Sequence, residues 1–137
     1  MKVIVCAHPK SDYENNSNYL YGRKFVKNET INLVKNCNIV FAHGSTTITY
    51  AVLYKKPLVF LLSNEYIRSF DNYTPSVIAK KLNSPYFNID DKNNKSKIQH
   101  INLFKIDKKK YKIYKDDYVK YPSRSHKKFW EIFNEKI

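Results

Sequence analysis

Glycine is almost absent from this chain: only Gly22 and Gly44 occur among 137 residues. A G-x-G-x-x-G dinucleotide fingerprint needs three closely spaced glycines and a Walker A loop needs two, so neither is present, and the commonest Rossmann oxidoreductases and P-loop NTPases are excluded. Cysteine is equally scarce. Cys6 and Cys37 cannot form a disulfide framework and read as free thiols. A zinc site built from Cys6, His8, Cys37 and His43 fails on geometry, because Cys37 starts an extended segment that His43 ends, about 20 Å away at roughly 3.3 Å per residue. No Asp-x-Asp pair is present to suggest a bound metal. No apolar run approaches the roughly 18 residues a membrane span needs, and the five apolar residues before His8 are too few for the core of a secretory signal. The expected location is cytoplasmic.

What is present is a composition able to fold. Hydrophobic residues make up 42% and aromatics 15%, enough for a core despite a mean hydropathy of -0.61. The length suits one domain. The net charge of +13 would ordinarily point to a polyanion. Of the 25 basic residues, however, 22 are Lys and 3 are Arg, and Asn, Ile, Tyr and Phe are abundant too, as AT-rich coding alone would produce. Position is more informative than the total: residues 92–128 carry a net +10, against +4 over residues 1–91.

Short apolar runs alternate with helical patterns over residues 1–91. Strands are expected near 2–7, 38–42, 57–62 and 85–89, with a weaker one at 23–27. Most of these runs are continuously apolar, as suits parallel strands covered on both faces. Helices are expected behind Asn28 or Thr30, behind Ser45, and behind Thr74 with Pro75 in the first turn; Lys55 and Lys56 suit a helix end before Pro57. The expected fold class is α/β, a single Rossmann-like doubly wound parallel sheet of four or five strands followed by C-terminal helices. The polar run Asp90–Lys97 marks the internal boundary. Residues 1–91 form the Rossmann-like layer and residues 92–137 a basic Lys/Tyr-rich helical extension of the same domain. Within the extension Tyr111, Tyr114, Tyr118 and Tyr121 form one helical stripe expected to pack inward. A last helix, capped by Ser123 or Ser125, would carry Phe129, Trp130, Phe133 and Ile137.

The chemistry-bearing segment is Ala42-His43-Gly44-Ser45-Thr46-Thr47, where an apolar strand turns into a helix. Ligands of open α/β sheets bind at the carboxyl ends of the strands. Gly44 allows close approach, Ser45 and Thr46 offer hydroxyls, and a helix N-terminus favours an anion such as phosphate. His8-Pro9-Lys10 follows the first strand as His43 follows the third, so both are expected on one edge. Lys10 and Arg23 are candidates to neutralise a diphosphate, with Arg the better bidentate partner. Glu65, just beyond the strand ending at Leu62, is placed to accept hydrogen bonds from sugar or ribose hydroxyls. The blander alternative is that Ser45 is only a helix cap and His43 a strand-end residue.

His8-Pro9-Lys10, the helix from Thr30, and the run from Cys37 to Phe60 with its Lys56-Pro57 resemble the donor-binding C-terminal half of GT-B-fold glycosyltransferases of bacterial capsule and surface polysaccharide synthesis. The resemblance covers roughly residues 1–90. It implies a nucleotide-sugar ligand held through its phosphates by His8, Lys10, Arg23 and the turn His43–Thr46, without a metal or other cofactor. A complete GT-B enzyme has two Rossmann-like halves, and this chain has the length of one. The resemblance therefore also implies a complementing N-terminal half or a second copy as partner, and leaves the catalytic residues unassigned. A different class stays open from the residues alone: a non-enzymatic basic module using the 107–121 helix on an anionic membrane at the cytoplasmic face or, less favoured, on nucleic acid.

Overall fold

The apolar runs become five short strands, the weakest of the expected ones included. A computed structural model of the chain describes residues 2–69, 74–94 and 102–119. In order these form β1 (Ile4–Ala7), a 3-10 turn (Ser17–Leu20), β2 (Lys24–Lys27), α1 (Thr30–Asn36), β3 (Val40–Ala42), α2 (Thr47–Leu53) and β4 (Leu58–Leu62). Then come α3 (Asn64–Ser69), α4 (Thr74–Leu82), β5 (Tyr86–Asn88) and α5 (Lys108–Tyr114), which continues as a π-helical turn over Lys115–Val119. The last helix expected, from Ser123 or Ser125 through Ile137, lies outside the described residues, as does Tyr121.

Every strand pairing is parallel, and the class is α/β. The described strands pair as two sheets where one of four or five strands was expected. β1 and β2 make a two-stranded sheet, and β3, β4 and β5 a three-stranded one with β4 in the centre. The division has a local cause in the crossover from β1 to β2. Parallel strands are usually joined through a helix that packs back on the sheet, but residues 8–23 form only a 3-10 turn among polar loops. Among the described residues nothing amphipathic returns over β1, and Val3, Ile4 and Cys6 stay exposed. Coverage on both faces, expected of all the apolar strands, fails here.

It holds for β4. Leu58 and Phe60 join Val40 and Ala42 of β3, Ile48, Ala51 and Val52 of α2, Ala79 and Leu82 of α4, and Tyr111 of α5 in one buried cluster. On the alternate positions Val59 and Phe87 are buried as well. Central position and burial of both faces make β4 the strand on which the fold depends.

Scarce glycine shows in the helix ends. After α2 the backbone passes through the left-handed region at Lys55 (φ 51°), and the Lys56 N–H reaches Ala51 O at 2.8 Å. After α4 the same closure uses Asn83 (φ 52°), with Ser84 N–H on Ala79 O at 2.9 Å. Both are Schellman turns, whose left-handed position glycine normally fills. Asn tolerates it; Lys does so at a steric cost.

α5 is attached by three groups. Asp107 caps it, its carboxylate accepting the Lys110 N–H at 3.0 Å, and also accepts from Asn83 Nδ2 at 3.2 Å. These bonds, the Lys110 one foremost, hold the Asp107 carboxyl below the usual range. Tyr111 is buried and donates its hydroxyl to Lys56 O at 3.0 Å, and burial raises its pKa. The tyrosine stripe turns inward only in part: Tyr114 is half-buried and Tyr118 is 57% exposed. The π-helical turn is the reason, since its wider winding departs from the 3.6-residue period and moves Tyr118 off the buried face. Among the described residues no helix is long and apolar enough to cross a membrane.

Candidate functional site

At the carboxyl edge of the three-stranded sheet β3 ends at Ala42 and the exposed turn His43-Gly44-Ser45-Thr46 leads into α2. Ser45 stands one residue before the N-cap Thr46, its Oγ accepting the Thr47 N–H at 3.2 Å and lying 3.0 Å from Thr47 Oγ1. The cap expected at Ser45 falls one residue later, at Thr46, and the Ser45 hydroxyl engages one of the helix-start N–H groups that an anion would otherwise use.

Sequence reasoning missed Tyr66. From α3, one residue beyond Glu65, its ring meets the His43 imidazole edge-on at 5.5 Å between centroids and 62° between planes. Its hydroxyl lies over Gly44, where an added Cβ would collide with the Tyr66 oxygen and sit 3.9 Å from Pro75 Cγ. The close approach that Gly44 permits is thus taken in this structure by Tyr66. No feature of the sequence signals that contact, which depends on how α3 folds back from the end of β4.

Further groups on the same edge fix α3. Ser63 Oγ accepts the Tyr66 N–H at 3.0 Å and Asp90 Oδ2 accepts the Asn64 N–H at 2.6 Å. Asn88 Nδ2 donates to Asn64 Oδ1 at 2.7 Å, and buried Asn94 donates to Asn88 O at 2.6 Å. The ends of β4 and β5 are thereby tied together, which sets the height at which Tyr66 meets Gly44. Glu65 is exposed in the first turn of α3, on this edge with His43.

The remaining candidates belong to the other sheet. His8 follows β1 at its carboxyl end, and its Nδ1 accepts the Lys10 N–H at 3.1 Å in a turn closed by Ser11 N–H on His8 O at 2.9 Å. Lys10 is exposed in that turn. Arg23 precedes β2, and since Ile4 pairs with Lys24 it stands level with Val3, at the amino edge. The run from there to His8 spans about 16 Å at roughly 3.3 Å per residue. The Arg23 guanidinium donates to Leu20 O at 3.3 Å. Arg23 therefore does not share an edge with His8, and His8 and His43 stand at the carboxyl ends of two different sheets.

The thiols are also apart. Cys6 Sγ lies 3.0 Å from Thr30 Oγ1, while Cys37 donates to Val34 O at 3.2 Å and is pushed up in pKa by burial. Among the described residues no three His, Cys, Asp or Glu side chains are grouped to hold a metal. A shallow, open hollow lined by Asp12, Tyr13, Asn16 and Tyr19 sits on the loop between β1 and β2, away from the His43 turn in sequence and sheet.

No protein-family model matches this chain, and no curated protein or solved structure matches it either.

Proposed function

We propose that the chain is the nucleotide-sugar-binding half of a GT-B-type glycosyltransferase acting in capsule or surface polysaccharide synthesis at the cytoplasmic face. The observation that carries the reading is the exposed His43-Gly44-Ser45-Thr46 turn at the carboxyl end of β3, opening directly into α2. Oxygens of a diphosphate would meet backbone N–H groups, the Ser45 and Thr46 hydroxyls and the positive end of a helix dipole. These would stabilise the leaving nucleotide as the glycosidic bond breaks. Glu65, on the same edge, would accept from sugar or ribose hydroxyls.

His8 and Lys10 contribute if the two sheets join through β1 and β3 into one Rossmann-like layer of order β2-β1-β3-β4-β5. That order reverses direction between β1 and β3, and ligands of open α/β sheets sit at such reversals. The joining is supported by the parallel pairing within each sheet, as a doubly wound layer requires. This reading leaves out Arg23, which stands at the amino edge. Acceptor contacts and the catalytic base would come from an N-terminal half or a second copy of the chain.

Calorimetry with CMP-, CDP-, UDP- and GDP-linked sugars tests the reading on the full chain. One nucleotide class should bind weakly, with a Kd of about 1 mM or somewhat below, the range of roughly 4 kcal/mol. Ser45→Ala and His43→Ala should weaken it, and glycosyl transfer should need the second half. Absence of binding, or binding indifferent to both substitutions, overturns the proposal.

A further inference from the structure

We propose that the edge of the molecule opposite the His43 turn, built from α5 and the ends of α2 and α4, is a docking surface for an anionic phospholipid membrane. Topology collects the charge. α2 and α4 each feed the strand that follows, so both end at the amino edge of the three-stranded sheet, with Lys55 and Lys56 just after one and Lys80 and Lys81 in the last turn of the other. α5 lies across that edge, held by Tyr111 on Lys56 O and Asn83 on Asp107. Lysines more than fifty positions apart in sequence thus meet on one surface.

The outward side of α5 follows from its buried side. Tyr111 and Tyr114 face inward, so at 100° per residue the opposite face presents Lys109, Lys112 and Ile113, and Ile113 is 47% exposed among these charges. Phe104, just before α5, is 59% exposed. The acidic groups nearby offset little: Asp107 is engaged as the cap, Asp116 pairs with Lys115 at 3.2 Å, and Asp117 stands exposed. Lysines interleaved with exposed apolar side chains suit an anionic lipid interface, where ammonium groups meet headgroups and apolar groups enter the boundary.

Nucleic acid fits less well. Residues 80–119 contain no Arg to fork onto phosphates or guanine. Tyr118, the exposed aromatic of this helix, already packs on Tyr114 at 4.9 Å and carries the Lys81 ammonium 4.3 Å above its ring, with Lys81 also donating to its hydroxyl. Its ring is engaged before any base arrives.

The test is co-sedimentation of the full chain with phosphatidylcholine vesicles with and without phosphatidylglycerol, alongside a duplex DNA oligomer. Binding should require phosphatidylglycerol, weaken as salt rises, and fall at least about tenfold in Lys109→Glu/Lys112→Glu, which replaces two surface cations with two anions. Ile113→Ser should reduce the binding that persists at high salt. Both positions are exposed, so circular dichroism should be unchanged. Arg68→Glu/Lys92→Glu makes the same charge change beyond the carboxyl ends of β4 and β5, where both side chains are exposed, and should have little effect. Equal loss in that control, indifference to phosphatidylglycerol, or tighter binding to the duplex than to the vesicles overturns the proposal. None of these readouts depends on nucleotide-sugar binding.

Discussion

β1 and β4 look alike as sequence, Ile-Val-Cys-Ala beside Leu-Val-Phe-Leu-Leu, yet one is largely exposed and the other almost wholly buried. Each pairs in parallel with a neighbour, so strand propensity is not the difference. What differs is the chain that follows. β4 is preceded by α2 and followed by α3 and α4, of which α2 and α4 return apolar side chains to its face, whereas β1 is followed by a polar loop with one 3-10 turn. A continuously apolar run thus reports that a strand can be covered on both faces; the crossover decides whether it is.

The largest expected effect sets the two sheets directly against each other. Phe60→Ala, at a position with 0% exposure, should cost about 3–5 kcal/mol of stability, while Ile4→Ala on β1 should cost less than about 1 kcal/mol. Urea unfolding of both variants checks this, and equal losses would show β1 to be as deeply packed in solution as β4.

Next is the attachment of α5 to the buried sheet. Tyr111→Phe removes a half-shielded hydrogen bond to Lys56 O and should cost about 1 kcal/mol. Because burial raises the Tyr111 pKa, the unfolded chain releases its proton first as pH rises. The stabilisation is complete below the ordinary tyrosine value of about 10 and is lost as pH climbs through the raised one. Base-induced unfolding should therefore set in at higher pH in the Phe variant, relative to its own neutral stability. The same pH dependence in both proteins would move the effect elsewhere.

A gain is expected at the turn between α2 and β4. Lys55→Gly relieves a left-handed lysine and should stabilise the fold by about 0.5–1 kcal/mol, net of the greater entropy of an unfolded glycine, seen as a higher urea midpoint. An unchanged or lower midpoint would mean that the Schellman closure is not strained.

The smallest effect belongs to the exposed sheet. Lys27 Nζ reaches Glu14 Oε2 at 2.8 Å and Ser11 O at 2.5 Å, tying the polar crossover to β2. The Lys27 hydrogen bond holds the Glu14 carboxyl below its ordinary value, so its contribution is present above that value and lost as pH falls through the lowered one. Glu14→Gln should speed amide exchange in β2 without moving the global unfolding midpoint. A shift of that midpoint would show the two sheets to unfold as one unit.

Much of the local plan was readable from single residues. Apolar runs marked the five described strands, Pro57 marked the end of the segment after α2, and Ser45 lay within one residue of the cap of that helix, because each signal acts through its own backbone. The site was read less fully. The turn His43–Thr46 was legible since a strand, a glycine and hydroxyls are contiguous there, but Tyr66 over Gly44 and the opposite-edge position of Arg23 were not. Both depend on where separate elements come to rest.

The sequence by itself determined the parallel α/β class, the exposed hydroxyl-bearing turn after β3 and the basic character of the C-terminal third, all properties of local pattern and composition. Tertiary structure alone decided that the strands divide into two sheets, that Tyr111 enters the core while Tyr118 does not, and that lysines of α2, α4 and α5 share one edge. The physical reason is that burial and charge density are sums over neighbours in space. A chain's local pattern limits those neighbours, and the packing of its crossovers selects them.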